Sequence, residues 1–119
     1  MSALSLYMGW DSREDAAYQV AQKSCQANAS KRVEVMPLKV PDLYGRRLLW
    51  RPVERDDGQM VDHLSNAPQT TEFAASRFLV PFIHRTGWAL FTDCDMVFLG
   101  DIAELFALAD DRYAAMVVK

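Results

Sequence analysis

Two aspartates stand two residues apart at Asp93 and Asp95, directly after an apolar run in "LFTDCDMVFLGDI". In an extended chain such residues point the same way, so their carboxylates face one shared volume. Each like charge raises the other's pKa unless a positive charge lies nearby. Hard oxygen ligands suit Mg²⁺ or Mn²⁺, which keep open positions for substrate phosphates. The pair predicts a divalent-cation site, and the alternative is two solvated loop acids.

The elements around this pair are predicted to be strands and a helix. The stretch "GWALFT" is apolar on both alternating faces, which is typical of a strand covered by helices on each side. After the pair, "MVFL" predicts a short strand and "DIAELFALAD" a helix with Asp101 near its N-cap. The final "YAAMVVK" predicts a further strand.

The first forty residues predict a strand, a helix and a second strand. The first strand ends near Gly9, and apolar residues at helical spacing indicate an amphipathic helix from Ser12 to about Ala29. The alternating "KRVEVMPLKV" predicts a second strand, parallel to the first and stopped by Pro37 and Pro41.

The middle of the chain has no clean period. Residues 42–68 mix charges, Gly and Pro, so we expect a long loop or lid that faces a substrate. The stretch "TTEFAASRFLVPFI" then predicts a helix with Thr70 or Thr71 as N-cap, which Pro81 should end or kink.

These elements alternate as in α/β proteins. We therefore expect one domain over residues 1–119, a Rossmann-like α/β fold with a mixed, mostly parallel sheet and flanking helices, and we expect it to be incomplete. Ligands of such folds bind beyond the carboxyl ends of the strands. Both the Gly9–Asp11 turn and the Asp93–Asp95 pair are predicted to lie there.

Composition narrows the possible partners and location. Thirteen basic and sixteen acidic residues give a net charge of −3 without a basic block, which argues against nucleic acid. Cys25 and Cys94 lack the spacing of a zinc site or a disulfide scaffold, which favours a reduced, cytoplasmic setting. No apolar run reaches the length of a transmembrane segment.

The segment "GWALFTDCDMVFLGDIAELF" resembles the D-x-D segment of GT-A glycosyltransferases, in particular the retaining, family 8-like group that includes glycogenin. The matching pieces occur in the same order along the chain as in that family. The stretch "YMGWDSRE" matches a nucleotide-contacting turn, and "TTEFAASRFLVPFI" matches the helix before the metal strand. The order and spacing of the pieces are more specific than any single piece.

The resemblance implies that Asp93 and Asp95 hold Mn²⁺ or Mg²⁺ on the diphosphate of a UDP-sugar or related donor, for transfer of a hexosyl group to an unassigned acceptor. Arg77 matches the helix arginine that reaches the donor. Independently, an arginine on an apolar helix face needs an anion, either Asp93 or a phosphate, or else it extends to solvent or pairs with Glu72. The residues expected to contact nucleotide or sugar are Tyr7, Gly9, Trp10, Asp11, Arg77, Asp93 and Cys94.

Separate roles are expected within the nucleotide-contacting turn. Gly9 would allow close approach of the backbone, and Asp11 would accept from a ribose hydroxyl or the base. Trp10 or Tyr7 would stack on the uracil, unless they serve in ordinary packing.

The chain departs from the family pattern in two respects. In the resembling enzymes a downstream histidine completes the metal site and an acceptor-binding half follows, whereas this chain stops at Lys119. His63 and His84 precede the motif and are interpreted as a loop residue and a helix-end residue. We expect a donor-binding half without independent catalysis, with no catalytic residue assigned, and with an exposed edge that favours self-association.

Two alternatives remain open. The same residues fit the haloacid-dehalogenase-like motif, hydrophobic-D-x-D-x-T/V, with Asp93 as nucleophile, Asp95 as general acid and base, and Val97 in the last place. That motif normally opens its fold, and a glycine rather than Met96 usually follows the second Asp. A non-catalytic nucleotide-binding α/β module is the other alternative.

Overall fold

The computed structural model describes residues 3–50, 53–56, 59–69 and 71–119. Two 3₁₀ turns, at Ser12–Glu14 and Ser76–Leu79, accompany the regular elements. In chain order these elements are β1 (Leu4–Gly9), α1 (Asp15–Asn28), β2 (Val33–Leu38), α2 (Val40–Gly45), β3 (Val53–Asp56), β4 (Gln59–Asp62), β5 (Ala67–Gln69), α3 (Val80–His84), β6 (Leu90–Thr92) and α4 (Ile102–Phe106).

A parallel sheet forms the centre of the α/β domain, in the order β2-β1-β6. Leu6 of β1 lies opposite Val35 on one side and Leu90 on the other. Because all three strands run the same way, their carboxyl ends meet at one edge of the sheet. The predicted strand–helix–strand beginning and the strand before the aspartates are confirmed.

The apolar core lies on both faces of β1. Leu6 and Met8 pack into one cluster, and Tyr7 packs into a second cluster on the opposite face, as alternation along a strand requires. The first cluster also contains buried residues of α1, and the second contains residues of α2 and α3. Their buried members are Tyr18, Ala21, Cys25, Val33, Phe73, Cys94 and Ile102 in the first, and Leu38, Val40, Leu43, Leu49 and Val80 in the second.

Pro37 does not stop the second strand, contrary to prediction. It lies inside β2, opposite Met8, and β2 continues to Leu38. Within the described sheet β2 has a strand on one side only, and an edge strand tolerates a residue without a backbone N–H. Pro41 instead stands in the first turn of α2, where its fixed φ suits a helix start.

The expected loop at 42–68 contains regular structure. It includes most of α2 and an antiparallel sheet, β3-β4-β5, in which Val61 lies opposite Glu54 and Pro68. These strands are only three or four residues long, too short to give a recognisable period. Residues 51, 52, 57 and 58 of this range lie outside the described residues, and the lid role stays a prediction.

The predicted single helix at residues 70–83 is wrong in its first half. Residues 71–75 form turns, followed by the 3₁₀ turn Ser76–Leu79 and then α3. Pro81 lies in the first turn of α3, where its missing N–H costs nothing, so a helix begins there instead of ending. Thr70 lies outside the described residues, and Thr71 Oγ1 has no hydrogen-bond partner among the described ones, so Thr71 is not a cap.

The stretch Met96–Leu99 is not a strand. The backbone N–H of Phe98 donates to Ser24 Oγ at 2.9 Å, and its carbonyl accepts from Asn28 Nδ2 at 2.9 Å. Two side chains of α1 therefore satisfy the polar groups that a neighbouring strand would satisfy. An apolar run in the sequence does not distinguish a strand from an irregular segment whose backbone is hydrogen-bonded by helix side chains.

In residues 101–119 the predicted helix cap is confirmed and the predicted final strand is wrong. The side chain of Asp101 accepts from the N–H of Ala103 at 2.9 Å and caps α4, as predicted. The segment Tyr113–Lys119 is not a strand; it is exposed, and Met116–Val118 line an apolar cavity of about 320 Å³ together with residues such as Trp88. Self-association through this region stays a prediction.

In the described ranges, no helix is both long enough and apolar enough to cross a membrane.

Candidate functional site at the carboxyl edge of the parallel sheet

The two sequence-predicted segments leave the sheet side by side. Met8 of β1 lies opposite Thr92 of β6, so Gly9–Asp11 and Asp93–Asp95 follow neighbouring strands at the same edge. This is the edge at which ligands of parallel α/β sheets bind.

The Asp93–Asp95 segment alternates between solvent and core. Cys94 is fully buried in the first cluster, whereas Asp93 and Asp95 are exposed. Both carboxylates are accessible to solvent, one on each side of a buried residue, and the chain bends at Cys94 and Asp95 instead of staying extended. That the two carboxylates face one shared volume stays a prediction. Asp93 keeps about 50% of its side-chain surface accessible.

Arg77 lies beside this pair. Its Nη2 is 3.7 Å from Asp93 Oδ1, and its guanidinium lies 5.4 Å from the ring centre of Phe91 and 5.5 Å from that of Phe73. Arg77 Nε is buried and has no hydrogen-bond partner in the described part of the chain. The arginine thus has the anionic neighbour that its position predicted, at a distance longer than a hydrogen bond.

Cys94 turns its thiol inward, away from the two aspartates. Cys94 Sγ donates to Glu14 Oε2 at 3.3 Å. Burial, followed by this hydrogen bond, raises the pKa of the thiol to about 12. The thiol is therefore protonated at neutral pH, and a donor ligand could reach only the backbone of Cys94 without disturbing the core.

Asp11 is completely buried and fully engaged by the protein. Oδ1 accepts from the N–H of Arg13 at 2.9 Å and from its Nε at 3.0 Å. Oδ2 accepts from Arg13 Nη2 at 2.9 Å and from the N–H of Glu72 at 3.1 Å. The hydrogen bonds from Arg13 hold the pKa of Asp11 at about 2. Contact with a ribose would have to replace one of these donors.

Gly9 makes its close approach to a side chain of the protein itself. A Cβ at this position would lie within 2.9 Å of three ring carbons of Phe73, which is 2% exposed. The space that we predicted for a ligand is filled by that ring.

Of the two candidate stacking residues, only Trp10 keeps an accessible ring. Tyr7 is 6% exposed, and its hydroxyl lies 3.2 Å from Nδ1 of His84, the last residue of α3. Trp10 is half-buried, and its Nε1 donates to Asp15 Oδ1 at 3.0 Å. Lys39 Nζ lies 4.8 Å from the centre of its ring.

Sequence reasoning did not assign Lys39 to the site, and it considered Glu72 only as an alternative partner of Arg77. Glu72 accepts from the backbone N–H of Ser12 at 3.2 Å and from its hydroxyl, and also from Arg55 Nη2 at 2.7 Å. These partners lie 60 and 17 residues away in sequence, so no local pattern indicates them. Lys39 directly follows β2, and its place at the carboxyl end of a parallel strand was the signal available.

The donor set fits a divalent cation only in part. Asp93 and Asp95 supply hard oxygen ligands and leave positions for phosphate and water, as Mg²⁺ requires. Among the residues that the structure describes, no three or more His, Cys, Asp or Glu side chains group closely enough to hold a metal ion.

Comparison with known proteins gives one relative to report. Protein CDI of Arabidopsis thaliana is 42% identical over 115 residues, which cover 96% of this chain and 40% of that protein. The chain therefore spans about two fifths of the length of the curated relative that it matches. No protein-family model matches the chain, and no solved structure matches it.

Proposed function

We propose that this chain is the Rossmann-like, donor-binding part of a GT-A glycosyltransferase. The observation that carries the proposal is the shared edge at which Asp93 and Asp95 follow β6 while the Gly9–Asp11 turn follows the adjacent β1. A nucleotide that spans the two strand ends would meet both segments. The ligand would be a UDP-sugar or a related nucleotide-sugar.

In this proposal Asp93 and Asp95 hold Mn²⁺ or Mg²⁺ on the donor's diphosphate. When bound, the cation supplies positive charge that favours departure of the nucleoside diphosphate. Arg77 adds a second positive charge, since its guanidinium is fixed near Asp93 by two aromatic rings. A phosphate would give its buried Nε a partner, and a charge-assisted bond of this kind is among the stronger hydrogen bonds.

The base and ribose would lie against Trp10. Its ring is partly accessible, and Lys39 beside it is a cation that would reach a ribose or phosphate oxygen. Asp11 acts by fixing the turn through Arg13 and Glu72, which is a positioning role.

Transfer of a hexosyl group to an acceptor is assigned in this proposal to the whole protein, because the chain spans only 40% of the relative that it matches. A cytoplasmic location is also part of the proposal, since Cys25 and Cys94 are free, buried thiols.

Calorimetric titration with UDP and UDP-sugars, with and without Mn²⁺, tests this function. The wild type should bind only with metal, and Asp95→Asn should weaken binding at least about tenfold because one of two carboxylate ligands is lost. Asp42→Asn is the matched control, since this aspartate is exposed in α2 and is not among the residues assigned to the site, and it should bind like the wild type.

Three results would contradict the proposal. Lack of binding under every condition removes the donor site, and metal-independent binding unaffected by Asp95→Asn favours a nucleotide-binding module. Trapping of Asp93 by beryllofluoride would instead favour the phosphotransferase alternative.

A further inference from the structure

A second cavity lies between the antiparallel sheet and the second core cluster. Its volume is about 450 Å³, within the range of small-molecule sites, and it is lined by residues 48–50, Asp62 of β4, Gln69 of β5, Ala74, Ala75, Phe78 and Leu79. None of its lining residues is among those that form the carboxyl-edge site. It is called here the inter-sheet cavity.

Two aromatic rings stand exposed among the residues that line the inter-sheet cavity. Trp50 is 72% exposed and Phe78 is 79% exposed. Large aromatic rings in such a position offer flat apolar faces on which a ring-shaped ligand can stack. The remaining apolar lining, including Leu49 and Leu79, is better buried.

The polar lining presents an unmet hydrogen-bond acceptor. Gln69 lines the cavity, and its Oε1 is buried without a hydrogen-bond partner among the residues described. A buried amide oxygen that lacks a hydrogen-bond donor destabilises the ligand-free protein. A ligand group that donates to this oxygen would remove the destabilisation.

Asp62 adds a buried carboxylate to the lining of the inter-sheet cavity. Its side chain is 4% exposed, and its carboxylate accepts from the N–H of Leu64 at 3.2 Å and from the hydroxyl of Ser65 at 2.7 Å. The buried negative charge disfavours an anion such as a diphosphate. Because the carboxylate is engaged in its own turn, it is also not arranged as the counter-ion of a bound cation.

We propose that the inter-sheet cavity binds a neutral polyhydroxylated ring, that is, a monosaccharide unit. Its apolar face would lie against Trp50 and Phe78, and one hydroxyl would donate to Gln69 Oε1. Binding at this site requires neither a metal ion nor the Asp93–Asp95 pair, so it can be tested separately from the proposed donor site.

Nuclear magnetic resonance of the indole N–H groups tests the proposal without nucleotide or metal. The protein has three tryptophans, Trp10, Trp50 and Trp88, so the signals are separable. On titration with methyl glycosides of glucose, galactose and mannose, the Trp50 signal should shift saturably for at least one of them. The signals of Trp10 and Trp88 should stay in place.

Matched variants identify the contacts. Gln69→Met keeps the side-chain length but removes the acceptor, and it should weaken binding at least about fivefold. Phe78→Ala should also weaken binding, whereas Phe82→Ala, at a 63% exposed aromatic outside the cavity lining, should bind like the wild type. Asp95→Asn should likewise leave glycoside binding unchanged, which separates this test from that of the donor site.

Several outcomes would overturn the proposal. They are the absence of a saturable Trp50 shift with all three glycosides, wild-type affinity in Gln69→Met, and loss of glycoside binding in Asp95→Asn. A Trp50 shift caused by tetramethylammonium but by none of the glycosides would show that the cavity selects a cation and not a neutral sugar ring.

Discussion

The ring of Phe73 occupies the volume that a side chain at Gly9 would need. A Cβ at position 9 would come within 2.9 Å of three carbons of that ring, closer than packed atoms can lie. The end of β1 and the turns at residues 71–75 fit together only because position 9 has no side chain.

Gly9→Ala should therefore lower the free energy of unfolding by about 1–3 kcal/mol, because the ring must move out of a packed core. Urea denaturation measures the loss. Gly100→Ala is the matched control, since a Cβ there would meet nothing within 4 Å. Adding Phe73→Leu to Gly9→Ala should cost less than the two single changes predict, and full additivity would contradict the close fit.

The pKa of Asp11 gives a pH prediction. The folded value of about 2 lies below the usual value near 4, so the carboxylate stabilises the fold above pH 4 and this contribution is lost as pH falls toward 2. The contribution should reach about 2 kcal/mol. Urea denaturation at several pH values should show the difference between wild type and Asp11→Asn shrinking over that interval. A constant difference would contradict the assignment.

Arg77→Gln should weaken metal-dependent UDP binding about tenfold, because a charge-assisted phosphate contact is lost. The affinity of Arg77→Lys should lie between those of Arg77→Gln and the wild type, since lysine keeps the charge without the planar group that lies near two aromatic rings. Arg112→Gln serves as control, because Arg112 pairs with Asp110 and not with the aspartate pair. Calorimetry provides the affinities, and equal values for Arg77→Gln and wild type would exclude a diphosphate contact.

Cys94 should resist alkylation in the folded protein. Its pKa of about 12 lies above the ordinary value near 9, so the stability that the buried thiol contributes is present below pH 9 and is lost as pH rises toward 12. In a Cys25→Ser background, iodoacetamide at pH 8 should modify Cys94 rapidly in urea and very slowly without it. Equal rates would show that the thiol is accessible.

Ser24→Ala should release the segment after the aspartates. The N–H of Phe98 would lose its acceptor, and its hydrogen exchange should accelerate with a stability loss of about 1 kcal/mol. Asn28→Ala removes the bonds to the carbonyls of Phe98 and Ser24 but not the acceptor of the Phe98 N–H, which should stay protected. Similar exchange rates in both variants would contradict the assigned contact.

The regular beginning of the chain could be predicted because its periods are strong and its contacts are local. The segment β1-α1-β2 shows alternation, then helical spacing, then alternation. The strands β3, β4 and β5 could not be predicted, since they are short and pair in a register that charged residues obscure. The same limit applies to Met96–Leu99, whose apolar pattern fits a strand until the side chains of α1 are known.

The candidate site could be predicted where it depends on strand ends. The position of Asp93 followed from that argument, and its neighbour Arg77 followed from the expectation that an arginine on an apolar face needs an anion. The close fit of Gly9 against Phe73 and the bond from Glu72 to Asp11 did not, because these partners lie about sixty residues away in sequence.

The segment 71–79 supports both sites at once. It carries Arg77 toward the aspartate pair and Phe78 toward the inter-sheet cavity, and Glu72 anchors it to the first turn and to β3. A ligand that displaced this segment at one site would alter the affinity of the other. Thermodynamic linkage makes such an effect reciprocal, so each ligand would change the other's affinity by the same factor.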